Sequence, residues 1–121
     1  YESVGRRIFD IQNIDSYHKM VRDNEEFAKK EGIEFELVYM TAREYLSAIT
    51  EIHNSSISQE RQMVDPDTVE EYADAMKAGE KFPIPWINYK YKDQEGRHRA
   101  LAFSKAFGDR EKFPVVLIKN R

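Results

Sequence analysis

Three consecutive cationic side chains, Arg97-His98-Arg99, follow Glu95-Gly96 and open an alanine-rich segment bounded by Gly108. The composition of Arg97 to Phe107 predicts a helix. A helix start preceded by glycine turns several unbonded N–H groups and a partial positive charge outward, which suits phosphate or carboxylate. First turns are ordinarily enriched in acids, so stacking cations on an already positive helix end costs stability unless an anion sits there. The chemistry read from this segment is anion binding. A competing reading leaves the three side chains in solvent or pairs them with Glu95 and Asp93.

Other chemistry-bearing residues have bland rivals. His98 by itself reads equally as a core or capping histidine, and His18 and His53 read as ordinary surface residues; no two histidines have metal-ligand spacing. Trp86, Tyr89 and Tyr91 could stack a base, but aromatics at strand spacing are more often core. There is no glycine-rich Walker loop and no nucleophile elbow. The chain has no cysteine, which removes disulfides, thiol chemistry and cysteine-ligated metals together and fits a reducing compartment.

The elements that must position the cationic turn can be read along the chain. Tyr17, Met20, Val21, Phe27 and Ala28 fall at helical spacing between Ser16 and Lys30, with Gly32 as terminator. Glu34 to Tyr39 alternates acidic and apolar residues, the period of a strand with one buried face. Thr41-Ala42-Arg43-Glu44 is a capping box, and Tyr45, Leu46, Ile49 and Ile52 form the buried stripe of the helix it starts. The polar, aperiodic stretch from His53 to Gln62 predicts a loop. Asp65-Pro66 starts another helix, with Val69, Tyr72, Ala73 and Met76 facing inward and Gly79 at its end. Pro83 and Pro85 forbid helix through Phe82 to Tyr89, whose aromatic and β-branched content predicts an extended strand, the prolines suiting an edge or the start of the strand. Pro114 to Ile118 closes the chain as a short apolar strand.

At 121 residues the chain is long enough for one domain with a modest core and too short for two ordinary ones. With 34% charged and 40% hydrophobic residues it reads as a globular chain rather than a disordered one. No run approaches the roughly 18 apolar residues of a membrane span, and Tyr1-Glu2-Ser3-Val4 is not a signal peptide, so a cytoplasmic location is expected. The first residue is not Met, so further domains of a longer chain are expected. Net charge is −3, which argues against a dedicated duplex-DNA binder. From Gly96 onward, however, seven Arg or Lys face two acids, so the tail carries +5 and the rest −8. A local anion site fits this asymmetry better than a general basic surface.

Glu95-Gly96-Arg97-His98-Arg99-Ala100, followed by an alanine-rich helix to Phe107-Gly108 and by Phe113-Pro114-Val115-Val116-Leu117, resembles the signature region of the ParB/sulfiredoxin superfamily. The upstream helix from Asp65 to Ala78, Gly79 and Phe82 to Ile87 also resemble that frame, which covers roughly Leu37 to Lys119. The resemblance implies an α+β fold, a small mixed sheet packed with helices, over residues 37–121, with residues 1–36 as an unassigned N-terminal extension. It implies a nucleotide ligand whose phosphates are held by Gly96, Arg97, His98, Arg99 and Arg61, and catalytic roles for Glu95 and His98. Glu95, with Glu60 as a second carboxylate, would hold Mg2+; a solvated loop acid is the rival reading of Glu60. Sulfiredoxins carry a reactive cysteine where this chain has Arg97, so sulfinate reduction is excluded. ParB proteins continue into a helix-turn-helix region that does not follow within these 121 residues, so centromere-type recognition is not expected of this segment. The leading expectation is a nucleotide-binding domain with metal-dependent hydrolysis or phosphoryl transfer. The alternatives are a ParB-like nuclease acting on nucleic acid and a noncatalytic module of a larger phage or mobile-element protein.

Overall fold

The computed structural model describes residues 4–9, 29–30 and 32–120. Its elements are helix α1 (Val4–Ile8), strand β1 (Ile33–Met40), helices α2 (Ala42–His53), α3 (Ile57–Gln62) and α4 (Pro66–Lys77), strands β2 (Trp86–Asn88) and β3 (Asp93–Glu95), helix α5 (Arg97–Phe107) and strand β4 (Phe113–Asn120). The four strands make one mixed sheet in the order β1-β4-β2-β3. Strand β4 runs antiparallel to β1 and parallel to β2, and β2 runs antiparallel to β3. This is an α+β fold with a small mixed sheet, as expected. The helix expected over residues 16–30 lies outside the described residues, apart from Lys29 and Lys30.

The sheet order explains the two strand patterns. Strand β4 is flanked on both edges, and Phe113 through Leu117 are all buried, hence its unbroken apolar run. Strand β1 is an edge, and its Glu34 and Glu36 stay exposed while Ile33 is buried. Glu34 lies opposite Lys119, whose ammonium donates to the neighbouring Glu36. Pro114, which lacks an N–H, sits near the start of β4, before pairing with β2 begins at Val116.

Two expectations are corrected here. The strand predicted over Phe82 to Tyr89 is only Trp86–Asn88. Pro83 and Pro85 withhold ladder donors, and Phe82 instead forms an isolated bridge to Phe9, its N–H donating to the Ile8 carbonyl at 2.8 Å. The predicted loop from His53 to Gln62 contains α3. Ser56-Ile57-Ser58-Gln59 is itself a capping box: Ser56 Oγ accepts from the Gln59 N–H at 3.2 Å and Gln59 Oε1 accepts from the Ser56 N–H at 2.9 Å. The capping box at Thr41 and Glu44 forms as read, and Asp65 caps α4 through the Asp67 N–H at 3.0 Å.

The core lies where α2, α4 and α5 cover the sheet. Tyr45, Leu46 and Ile49 enter it from α2, Ala73 and Met76 from α4, and Ala100, Ala102 and Phe103 from α5. Phe9 belongs to the same core, with ring centroids 5.7 Å from Phe103 and 5.3 Å from Phe113. Residues before 37 thus contribute both core side chains, Ile8 and Phe9, and the first half of β1. Truncating Phe9 to Ala is expected to cost about 3–5 kcal/mol in urea unfolding, the usual range for a buried phenylalanine. Tyr91→Ala, at a side chain left 62% exposed, is expected to stay within about 0.5 kcal/mol of wild type.

Candidate functional site

Gly96 joins β3 to α5 with φ 135°, where side-chain-bearing residues are strained. A Cβ added there would stand 2.4 Å from Pro85 Cβ. Pro85 cannot move aside easily: it is buried, and its carbonyl accepts from the N–H of Val116 in the central strand at 3.0 Å. The first helical bond of α5 runs from the Ala100 N–H to the Gly96 carbonyl at 2.8 Å. No side chain caps this end. The amides of Arg97, His98 and Arg99 therefore precede the helical ladder, an arrangement that favours an anion.

Behind this turn stands Glu60, with no exposed surface. The expectation of a solvated loop acid is overturned, because α3 rotates Glu60 inward. Its Oε1 accepts from the Ser55 hydroxyl at 2.6 Å and lies 2.8 Å from His53 Nδ1. Its Oε2 lies 3.0 Å from Arg97 Nε. Neither Oε2 nor Arg97 Nε has a hydrogen-bond partner among the described residues, so this contact is off the N–H axis and acts through charge. Burial pushes the Glu60 carboxyl up; the hydrogen bonds from Ser55 and His53 and the charge of Arg97 outweigh it and hold the group below its ordinary value.

Arg99 folds back on the residue before the turn. Its Nη1 reaches Glu95 Oε1 and its Nη2 the Glu95 carbonyl, both at 3.3 Å. The Glu95 side chain is 62% exposed and that of Arg99 only 13%. Arg99 Nε is buried without a hydrogen-bond partner among the described residues. His98 turns the other way: its Nε2 accepts from the Asp65 N–H at 3.1 Å, tying the start of α5 to the cap of α4. Tyr45 donates its hydroxyl to Gln94 Oε1 at 2.7 Å. Burial pushes its phenol far up against the opposing charge of Arg99, so it stays a neutral donor.

The structure brings together Gly96, Arg97, Arg99, Glu95 and Glu60. Arg61 follows Glu60 in the chain; it is exposed and lines a groove of about 360 Å³ whose walls include Val64, Val69, Leu101 and Lys105. Of the two acids expected to pair with the cationic turn, Glu95 takes Arg99, whereas Asp93 accepts from the Gln94 N–H. Glu60 has its oxygens turned onto Ser55, His53 and Arg97, Glu95 holds Arg99, and no three His, Asp or Glu gather among the described residues.

Sequence reasoning missed Tyr45, His53 and Ser55. Tyr45 was legible only as a core residue, since nothing local announces its bond to Gln94. Ser55 and His53 were hidden with α3, whose capping-box signal at Ser56 and Gln59 was present in the sequence. Comparison of the chain with protein-family models, curated proteins and solved structures finds no match.

Removing the Glu60 charge leaves Arg97 unpaired, and Glu60→Gln is expected to cost about 3–5 kcal/mol in chemical unfolding. Glu95→Gln, at an exposed pair, should cost less than about 1 kcal/mol. Because the folded Glu60 carboxyl titrates below its unfolded value, its contribution is present above the ordinary carboxylate range and lost as pH falls through the lowered value. The stability of Glu60→Gln should therefore decline less steeply on acidification than that of wild type.

Proposed function

We propose that this chain is a ParB-like phosphate-binding, and specifically nucleotide-binding, domain whose anion sits at the start of α5. The observation that carries this reading is the pair of largely buried guanidiniums beside an uncapped helix end, each with an Nε lacking a hydrogen-bond partner among the described residues. Arg97 Nε is turned onto Glu60, and a phosphoryl group would be held by the other donors of the two guanidiniums together with the first amides of α5. The Glu95–Arg99 pair, half in solvent, is weak enough for a bound anion to displace. Within this reading Arg97 is the fixed element, held by Glu60, and Arg99 the one that closes on the ligand.

A thermal-shift screen of the purified protein with ATP, CTP, GTP, ADP and pyrophosphate, with and without Mg2+, tests it. A ligand at one hundred times its Kd is expected to add about 2.7 kcal/mol and raise the melting temperature by several degrees. Arg99→Ala should lose most of that rise while staying folded. If no phosphate-bearing ligand shifts a well-folded wild type, the reading is wrong.

A further inference from the structure

Helix α1 is pinned at both of its ends. A Cβ added at Gly5 would stand 2.1 Å from the Lys112 carbonyl, so the helix backbone lies directly on the chain entering β4. At the other end the Phe82 N–H donates to the Ile8 carbonyl at 2.8 Å, and Phe9 bridges Phe82. This seating sets Arg6 and Arg7 of α1 around one cavity of about 540 Å³ with Lys77 at the end of α4 and Lys81 beyond it. All four cations are exposed. Among the described residues no Asp or Glu lines this cavity, and Arg7, Lys77 and Lys81 have no carboxylate partner. Its apolar wall includes Met76, which is buried, and Phe107, which is half-buried.

Cations gather at helix C-termini for an ordinary reason, to meet the last carbonyls and the negative end of the dipole. At α4 the backbone has already met those carbonyls. The Glu80 N–H donates to the Ala75 carbonyl and the Gly79 N–H to that of Met76, both at 3.0 Å, with Gly79 at φ 90°. Lys77 and Lys81 are thus not needed as caps. Like charges held around one concavity attract an anion, and both the arginine fork and the lysine ammonium suit phosphoryl oxygens. The volume falls within the range of small-molecule sites, which join apolar walls to a few polar groups. We infer that this cavity is a second ligand site, for a small organic polyphosphate whose phosphates meet Arg7, Lys77 and Lys81 and whose apolar body rests on Met76 and Phe107. It is separate from the site at the start of α5: Phe107 is the last of that helix's 11 residues, which puts the two sites roughly 15 Å apart. Exposed Asp74 and Glu80 stand on either side of Lys77 in the chain, and the net charge is −3. A small ligand seated within the cavity is therefore favoured over a nucleic-acid strand extending past it.

The experiment is an amide NMR titration of the full chain with three probes: ATP, inorganic triphosphate and a short single-stranded DNA. ATP is expected to move the Gly79, Lys81 and Phe107 amides, in Arg99→Ala as in wild type, and to bind there more tightly than triphosphate because its base adds apolar contact. Lys77→Gln combined with Lys81→Gln changes two exposed side chains and should leave the fold intact. That variant is expected to bind ATP at these amides about tenfold more weakly, with any response at Gly96 and Arg99 unchanged. If Gly79 and Phe107 stay still at millimolar ATP, the inference is overturned, and a response at Gly96 alone leaves the reading at α5 standing. Undiminished affinity in the double variant overturns it as well, and so does triphosphate bound as tightly as ATP, since the apolar wall would then contribute nothing. DNA that moves these amides more readily than ATP assigns the cavity to nucleic acid and overturns the small-ligand inference.

Discussion

A carboxylate with no exposed surface loses its hydration, and the loss amounts to several kcal/mol unless the protein supplies charge and hydrogen bonds in its place. Glu60 is such a group, and its three partners come from three different places in the chain: His53 at the end of α2, Ser55 in the turn before α3, and Arg97 at the start of α5. The requirement works in both directions. Arg97 is itself largely buried, so the acid that needs the guanidinium is also what permits it to be there. This exchange joins segments nearly forty positions apart and settles where α5 begins relative to α2 and α3.

The second constraint is steric. Gly96 combines a positive φ with a Pro85 ring standing where a Cβ would be, and Pro85 is anchored on β4 through the Val116 N–H. The turn before α5 is therefore pressed onto the segment that leads into β2, the strand beside β4. His98 adds a bond from α5 to the backbone of Asp65, so the cap of α4 and the first turn of α5 are set against each other. Of the three cationic residues, one is held by a buried acid, one by a backbone amide and one by an exposed acid. The two guanidiniums crowd at this helix end because each has its own opposing carboxylate, whereas His98 Nε2 offers a lone pair to a backbone amide.

That division also explains what could be read from the sequence. The helix starting at Arg97, its glycine, the Thr41 and Asp65 caps and the apolar run of β4 are local patterns, and each appears where its period and capping residues place it. The cationic conflict at Arg97, His98 and Arg99 was equally legible as a local anomaly. Its resolution was not, because Glu60 is distant in sequence and sits in a segment whose polar composition suggested a loop. A run of Ser, Gln, Glu and Arg has no apolar period to mark a six-residue helix; only the reciprocal Ser56 and Gln59 bonds do so. The extended stretch at Phe82 to Pro85 failed for a different reason: β propensity was right about backbone shape, but two prolines in four residues cannot donate to a ladder.

The two arginines differ in what an incoming anion would have to overcome. Displacing Arg97 from Glu60 would strand a carboxylate with no access to water, a cost of several kcal/mol that few ligands recover. Displacing Arg99 from Glu95 releases an acid that is already more than half exposed and returns to solvent at a cost below about 1 kcal/mol. A phosphoryl group at this helix end would therefore accept from Arg97 where it stands and draw Arg99 away from Glu95. The freed Glu95 carboxylate, repelled by the same phosphate, would turn outward. Substituting lysine at position 97 would keep the charge but not the planar fork that faces Glu60 on one edge and leaves its remaining donors directed elsewhere. In the proposed reading the site would have one rigid wall and one movable one, and the rigid wall would be set by an acid that the ligand never touches.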